Sequence, residues 1–143
     1  MNDELYRSSF QDGWFKTGDL GRMDEGGYVR IVGRSKDLVI RGGENIPIIE
    51  IENMLLEHPE IADIAIVGVP DHRLGECCHA VVVPRRSGHE LTLRDLTSHL
   101  EKRGVTKQYW PEFISMVEAL PRTASGKIQR FIVRDKIIEH GKL

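Results

Sequence analysis

The chain has 143 residues, 20 basic against 22 acidic side chains and 40% hydrophobic content. That suffices for one domain with a real core and a short extra segment. The mixed charge with no basic block argues against nucleic acid, and the apolar runs are too short to span a membrane. Residues 1–10 are polar and lack an apolar signal-peptide core. Cys77 and Cys78, the only cysteines, are adjacent in an expected strand and point to opposite faces, which fits a reduced, cytoplasmic setting. Six scattered histidines and no cysteine pair at ligand spacing give no expectation of a zinc site.

In chain order, residues 12–16 and 28–32 have strand character, and Asp24-Glu25-Gly26-Gly27 between them is a strong turn signal. Residues 10–33 are therefore expected to form a small β element. A charged stretch, Arg34-Ser35-Lys36-Asp37, leads to a short strand at 38–40 that ends at Gly42-Gly43. Pro47 suits the first position of a helix whose Ile48, Ile51 and Leu55 share one face and which stops before Pro59. Residues 61–69 and 77–83 are expected strands. Thr92 and Asp95 have the spacing of a capping box, opening a helix to about Arg103 with Leu93, Leu96 and Leu100 aligned. A third strand is expected at 113–117 and a last helix near 128–140. From residue 38 onward the pattern predicts an α+β domain, a small sheet flanked by helices in the order strand, helix, strand, strand, helix, strand, helix. Its expected core includes Ile51, Leu55, Ile64, Ile66, Val81, Val83, Leu96 and Leu100.

Before the last helix stands Pro121-Arg122-Thr123-Ala124-Ser125-Gly126-Lys127. Gly126 permits backbone conformations closed to other residues, Pro121 fixes its own φ, and small Ala124 and Ser125 leave room for a close approach. The stretch reads as a flexible loop that holds one ammonium outward, suited to a phosphate or a carboxylate. From the loop alone, a polar segment that caps the last helix accounts for it equally well. It is not a Walker loop, because the first glycine is absent at the required spacing.

Three segments in register resemble the C-terminal end of the adenylate-forming superfamily of acyl-CoA synthetases, carrier-protein adenylation domains and luciferases. Asp12-Gly13-Trp14-Phe15-Lys16-Thr17-Gly18-Asp19-Leu20-Gly21 is similar to its ribose-binding segment. Residues 33–47, continuing to Glu50-Ile51-Glu52, are similar to its hinge and loop motif, and 121–127 to its catalytic loop. The Arg41-Gly42-Gly43-Glu44-Asn45-Ile46 run is most like medium-chain, alicyclic and aromatic acyl-CoA ligases.

The resemblance implies a two-step reaction. A carboxylate attacks ATP to give an acyl adenylate and pyrophosphate, and the thiol of coenzyme A then displaces AMP; Mg²⁺ is expected with ATP. It implies Lys127 as the catalytic residue, bridging the substrate carboxylate and the α-phosphate. It gives Asp19 and Arg34 to the nucleotide, Asp19 accepting from the ribose hydroxyls. Gly42 and Gly43 become the channel for the pantetheine arm of coenzyme A, and Lys36 the hinge. The plainer roles are a turn aspartate at Asp19, a turn at Gly42-Gly43 and an exposed strand-end charge at Lys36.

A phosphate loop, an acyl pocket and an adenine platform are lacking, so the chain is expected to be part of a longer enzyme and inactive alone. Residues 1–35 would be the last β element of an N-terminal adenylation domain, the missing partner, and 36–143 a mobile lid. The other expected partners are a small carboxylic acid and a lysine acetyltransferase and deacetylase acting on Lys127. The alternatives are an adenylation domain that loads a carrier-protein pantetheine, and a stand-alone interaction module with the lid fold.

Overall fold

The computed structural model describes residues 3–34, 38–86, 88 and 90–140. The chain divides between residues 37 and 38 into two compact units.

The first unit holds a helix, α1 (Asp3–Ser8), and two strand pairs. Strands β1 (Phe10–Gln11) and β2 (Trp14–Phe15) pair antiparallel, as do β3 (Asp19–Met23) and β4 (Val29–Arg34). Here the structure corrects the expectation. Asp12 and Gly13 are not strand residues but a two-residue turn, with φ of 51° and 83°, the left-handed pair that a tight hairpin needs. The turn at 24–27 therefore joins β3 to β4, and the Asp24 carboxylate accepts the amides of Gly26 and Tyr28. No side chain described in this unit is buried.

The second unit is built on one sheet. Strands β5 (Val39–Arg41), β6 (Glu44–Ile46), β7 (Ile61–Asp71) and β8 (Gly75–Pro84) run in the order β6-β5-β8-β7, all pairs antiparallel. Strand β9 (Phe113–Met116) joins β8 in parallel. The short β6, absent from the expected pattern, follows from Gly42 and Gly43. Their φ values of 57° and 84° make a two-residue hairpin turn, so residue 44 pairs back onto Arg41.

Two long antiparallel strands alternate their side chains between faces, and both faces are covered. On one face Ile64, Ile66, Cys78, Ala80 and Val82 meet Ile48, Ile51 and Leu55 of α2 (Ile48–Leu56) and Leu96 and Leu100 of α3 (Leu93–Lys102). On the other, Ala65, Val67, Val69, Cys77 and Val81 meet Leu120 and Val133 and Ile137 of α4 (Arg130–His140). Cys77 and Cys78 thus enter different clusters. Burial first, and then the charge of Glu112, pushes their thiols up to about 11 and about 12, so neither is a nucleophile near neutral pH. The expected core residues are buried except Val83, which is half-buried and packs at the rim of the second cluster.

Local chemistry explains the helices. Pro47 stands just before α2, whose Ile48, Ile51 and Leu55 point inward. The Thr92 hydroxyl accepts the Asp95 amide at 3.3 Å while the Asp95 carboxylate accepts the Thr92 amide at 2.8 Å, a reciprocal box that starts α3.

Candidate functional site

In the first unit, Asp19 and Arg34 are cross-strand partners in the β3–β4 register, and Arg34 Nε donates to Asp19 Oδ1 at 2.9 Å. Thr17 Oγ1 accepts the Asp19 amide at 3.0 Å, so the residue is fixed from its own turn as well as from β4. The Asp19 side chain is 28% exposed and that of Arg34 52%. A carboxylate accepts on two oxygens, each with two lone pairs, so one guanidinium bond leaves it able to accept from a diol.

Lys127 lies in an exposed loop that several hydrogen bonds close. The Gly126 amide donates to the Thr123 carbonyl at 2.9 Å, the Thr123 amide to the Lys127 carbonyl at 2.8 Å, and the Gln129 amide to the Pro121 carbonyl at 2.8 Å. Thr123 Oγ1 accepts the Lys127 amide at 3.1 Å and shares a bond with the Ser125 hydroxyl at 2.9 Å. Arg122 reaches forward, donating from Nη1 to the Gly126 carbonyl at 2.6 Å and from Nη2 to Asp63 on β7 at 2.5 Å. Gly126 has a φ of 84° and open space where a side chain would begin, so its backbone conformation is what selects glycine. The hydroxyls of Thr123 and Ser125 bond within the loop, and the amides of Ile132 and Val133 in α4 donate to the Gln129 carbonyl.

The Gly42-Gly43 turn closes the β5–β6 hairpin, and the Gly42 amide donates to the Leu74 carbonyl at 2.7 Å. A Cβ on Gly42 would meet only Leu74, at 3.7 Å, and one on Gly43 nothing within 4 Å. Around the turn, Glu44 accepts from Gln108 at 3.0 Å and from the Tyr109 hydroxyl at 3.1 Å, while Arg41 pairs with Glu112 at 2.5 Å. A pocket of about 340 Å³ beside it is lined by Arg41, Glu44, Arg73, Leu74, Lys107 and Gln108. Arg73 and Lys107 were not among the expected site residues. They lie 30 or more positions from the glycines and from each other, and only the β5–β8 junction and the turn after Thr106 gather them.

The turn and the lysine loop belong to the same unit but stand at opposite ends of the β7–β8 ladder. The turn abuts Gly75, across from Arg41, whereas the loop is tied to Asp63, which faces Val83. At ~3.3 Å per residue those two points on β8 are roughly 26 Å apart. Lys36, the expected hinge, lies outside the described residues.

The second unit thus presents the lysine loop at one end of its long strand pair and the glycine hairpin at the other. The chain belongs to the family of the AMP-binding enzyme C-terminal domain, matched over residues 50–127. It is 46% identical over 132 residues to the medium-chain fatty-acid–CoA ligase of Escherichia coli (strain K12), covering 92% of this chain and 23% of that protein. It is 41% identical over 138 residues to the oxalate–CoA ligase of Arabidopsis thaliana, covering 96% of this chain and 26% of that one. Its fold matches the crystal structure of ATP-bound MatB from Rhodopseudomonas palustris with a TM-score of 0.84 at 38% identity, over 95% of this chain and 27% of the other. The chain spans about a quarter of the length of the relatives it matches. Among the described residues, no helix is long and apolar enough to cross a membrane.

Proposed function

We propose that the chain is the C-terminal part of an ATP-dependent, AMP-forming acyl-CoA ligase, residues 1–35 ending its adenylation domain and 36–143 forming its mobile lid. In the first step a carboxylate oxygen attacks the α-phosphorus of ATP and pyrophosphate leaves. In the second, the sulfur of coenzyme A attacks the acyl carbon, AMP leaves with the electron pair of the broken C–O bond, and the thiol proton passes to solvent. The observation that carries this reading is the separation of the lysine loop from the glycine turn within one unit. Two elements anchored at points roughly 26 Å apart on β8 would not both reach one reacting centre at once, but each could do so in turn if the unit rotates.

Lys127 would draw the carboxylate and the α-phosphate together, two anions that otherwise repel, and its charge would offset what develops at phosphorus. Asp19, held by Arg34, would accept from the ribose hydroxyls. At the other end, the open space above Gly43 would receive the pantetheine arm, with Arg73 and Lys107 near enough to the turn to attract the phosphates of coenzyme A. Mg²⁺ would arrive with the nucleotide.

The first unit supports the same reading. Trp14 is 80% exposed and Tyr28 79%, aromatic surface that an adjoining larger domain would cover.

The test is Lys127→Ala in the full-length enzyme, assayed by ATP–pyrophosphate exchange with medium-chain and aromatic acids. Adenylation should fall by about 10²–10³ or more, the loss seen when one preorganised charge-stabilising donor is removed. Thioester formation from supplied acyl adenylate should persist. Adenylation at the normal rate would refute the proposal.

A further inference from the structure

Lys127 is gripped on both sides by ion pairs that lead to one strand. Arg122, five residues before it, holds the Gly126 carbonyl with one nitrogen and Asp63 of β7 with another. Arg130, three residues after it, opens α4 and donates to Glu52 of α2 at 2.5 Å. The other oxygen of Glu52 accepts the amide of Ile66, again on β7, at 2.7 Å. Asp63 is tied down in turn by accepting the Ile64 amide at 3.0 Å. Both braces therefore end within three positions of one another on β7, at the half-buried Asp63 and the buried Ile66.

The two pairs differ in setting. Arg122 and Asp63 are 43% and 26% exposed, whereas Arg130 and Glu52 are 17% and 7% exposed. A buried ion pair is poor value for stability, because desolvation cancels most of the attraction and an apolar pair of similar volume does as well or better. Here the cost is raised further, since Arg130 Nε is buried without a hydrogen-bond partner among the described residues. What such a pair supplies instead is direction: a planar guanidinium bonds only along fixed vectors, and Arg122 uses its fork to hold a backbone carbonyl and a carboxylate at once.

We infer that Arg122–Asp63 and Arg130–Glu52 are positioning pairs for Lys127, fixing both ends of its loop to β7 so that the ammonium stands where the carboxylate and α-phosphate meet. The inference rests on the proposed role of Lys127. It adds that the rate of the first half-reaction depends on four residues that touch neither substrate. A misplacement near 1 Å costs about a hundredfold in rate, and a lysine on an unbraced loop would be displaced by at least that.

The experiment compares Arg122→Gln, Arg122→Lys, Glu52→Gln and Lys127→Ala in the full-length enzyme, each in the two half-reactions separately, with amide exchange as a map of the fold. Arg122→Gln and Glu52→Gln should slow adenylation by about 10–100-fold and leave thioester formation from supplied acyl adenylate at its original rate. Arg122→Lys, which keeps the charge and loses the fork, should fall between Arg122→Gln and the parent. The amides of Gly126, Lys127 and Gln129 should exchange faster while those of β7 and β8 stay protected. Should Glu52→Gln prove too unstable to assay, the half-exposed Arg122 pair carries the test alone. Normal adenylation in Arg122→Gln while Lys127→Ala is slow would overturn the positioning role and leave the lysine's role standing. Equal loss of both half-reactions together with lost protection in β7 and β8 would also overturn it, as a purely structural effect. Normal adenylation in Lys127→Ala would remove the reading on which it rests.

Discussion

The lysine loop and the glycine turn are both tight, both exposed and both built around left-handed glycine, yet they are held by different means. The turn is a backbone object. Two positive φ values and the β5–β6 pairing define it, and side chains only buttress it from outside. The loop has backbone closures of its own but adds side chains to them, the Arg122 guanidinium and the Thr123 hydroxyl bonding inside it and Asp63 supplying a distant anchor. The difference teaches where each is vulnerable: the turn to any residue that cannot adopt its backbone, the loop to the loss of partners far away in sequence.

The largest effect should come from abolishing the contrast altogether. Leu100 is fully buried between α3 and the sheet, and Leu100→Ala should cost about 2–5 kcal/mol through lost burial and the cavity left behind. Both the loop and the turn ride on that core, so urea unfolding should show the loss and both half-reactions should decline together. Loss of one half-reaction only would mean that the two ends are not carried by one packed unit.

A smaller change should sharpen the contrast. Gly43→Ala meets no steric obstacle, so its cost is purely conformational, about 1–2 kcal/mol for a left-handed alanine. Thermal unfolding should register that loss, and exchange at the loop amides of Gly126 and Gln129 should not change. An unaltered melting temperature would show that the turn relaxes away from its left-handed φ values.

The smallest effect concerns pH, and it should leave loop and turn equally placed. His79 is buried, shares a hydrogen bond with Ser115 at 2.9 Å and lies beside the Phe113 ring. Burial holds its imidazole below the usual histidine range, and burial does the same, with help from His99, at His58. A base whose folded pKa is lowered binds fewer protons folded than unfolded. Its stabilising contribution is therefore complete above the ordinary value of 6.5 and is lost as pH falls from there through the lowered folded value. Melting temperatures should thus drop between pH 7.5 and 5.5, and His79→Gln should flatten part of that slope. A slope unchanged by the substitution would assign it elsewhere.

Much of this architecture is legible before any coordinates, because it is written in short-range patterns. The alternating apolar runs of β7 and β8, the Thr92–Asp95 box and the opposite facing of Cys77 and Cys78 need only local rules. The misreadings have a common origin in pairing. Residues 12–16 carry strand-forming aromatics, yet Asp12-Gly13 turns the chain inside them and gives β4 a different partner. Likewise β6 exists only because the glycine turn folds it back. For the site, Lys127, Asp19, Arg34 and the glycines are marked by their own motifs. Asp63, an ordinary polar residue in a strand, gains its part only when Arg122 crosses 59 positions to reach it. Glu52 needs 78 positions to meet Arg130, and no local pattern carries that information.

The central claim is that one rigid unit serves two different half-reactions from its two ends. The most direct measurement is a crossed assay in the full-length enzyme, with Lys127→Ala and Gly43→Leu each tested for adenylation and for thioester formation from supplied acyl adenylate. The account predicts a clean exchange, Lys127→Ala losing the first step and keeping the second, Gly43→Leu keeping the first and losing the second. Loss of the same step in both variants would contradict it.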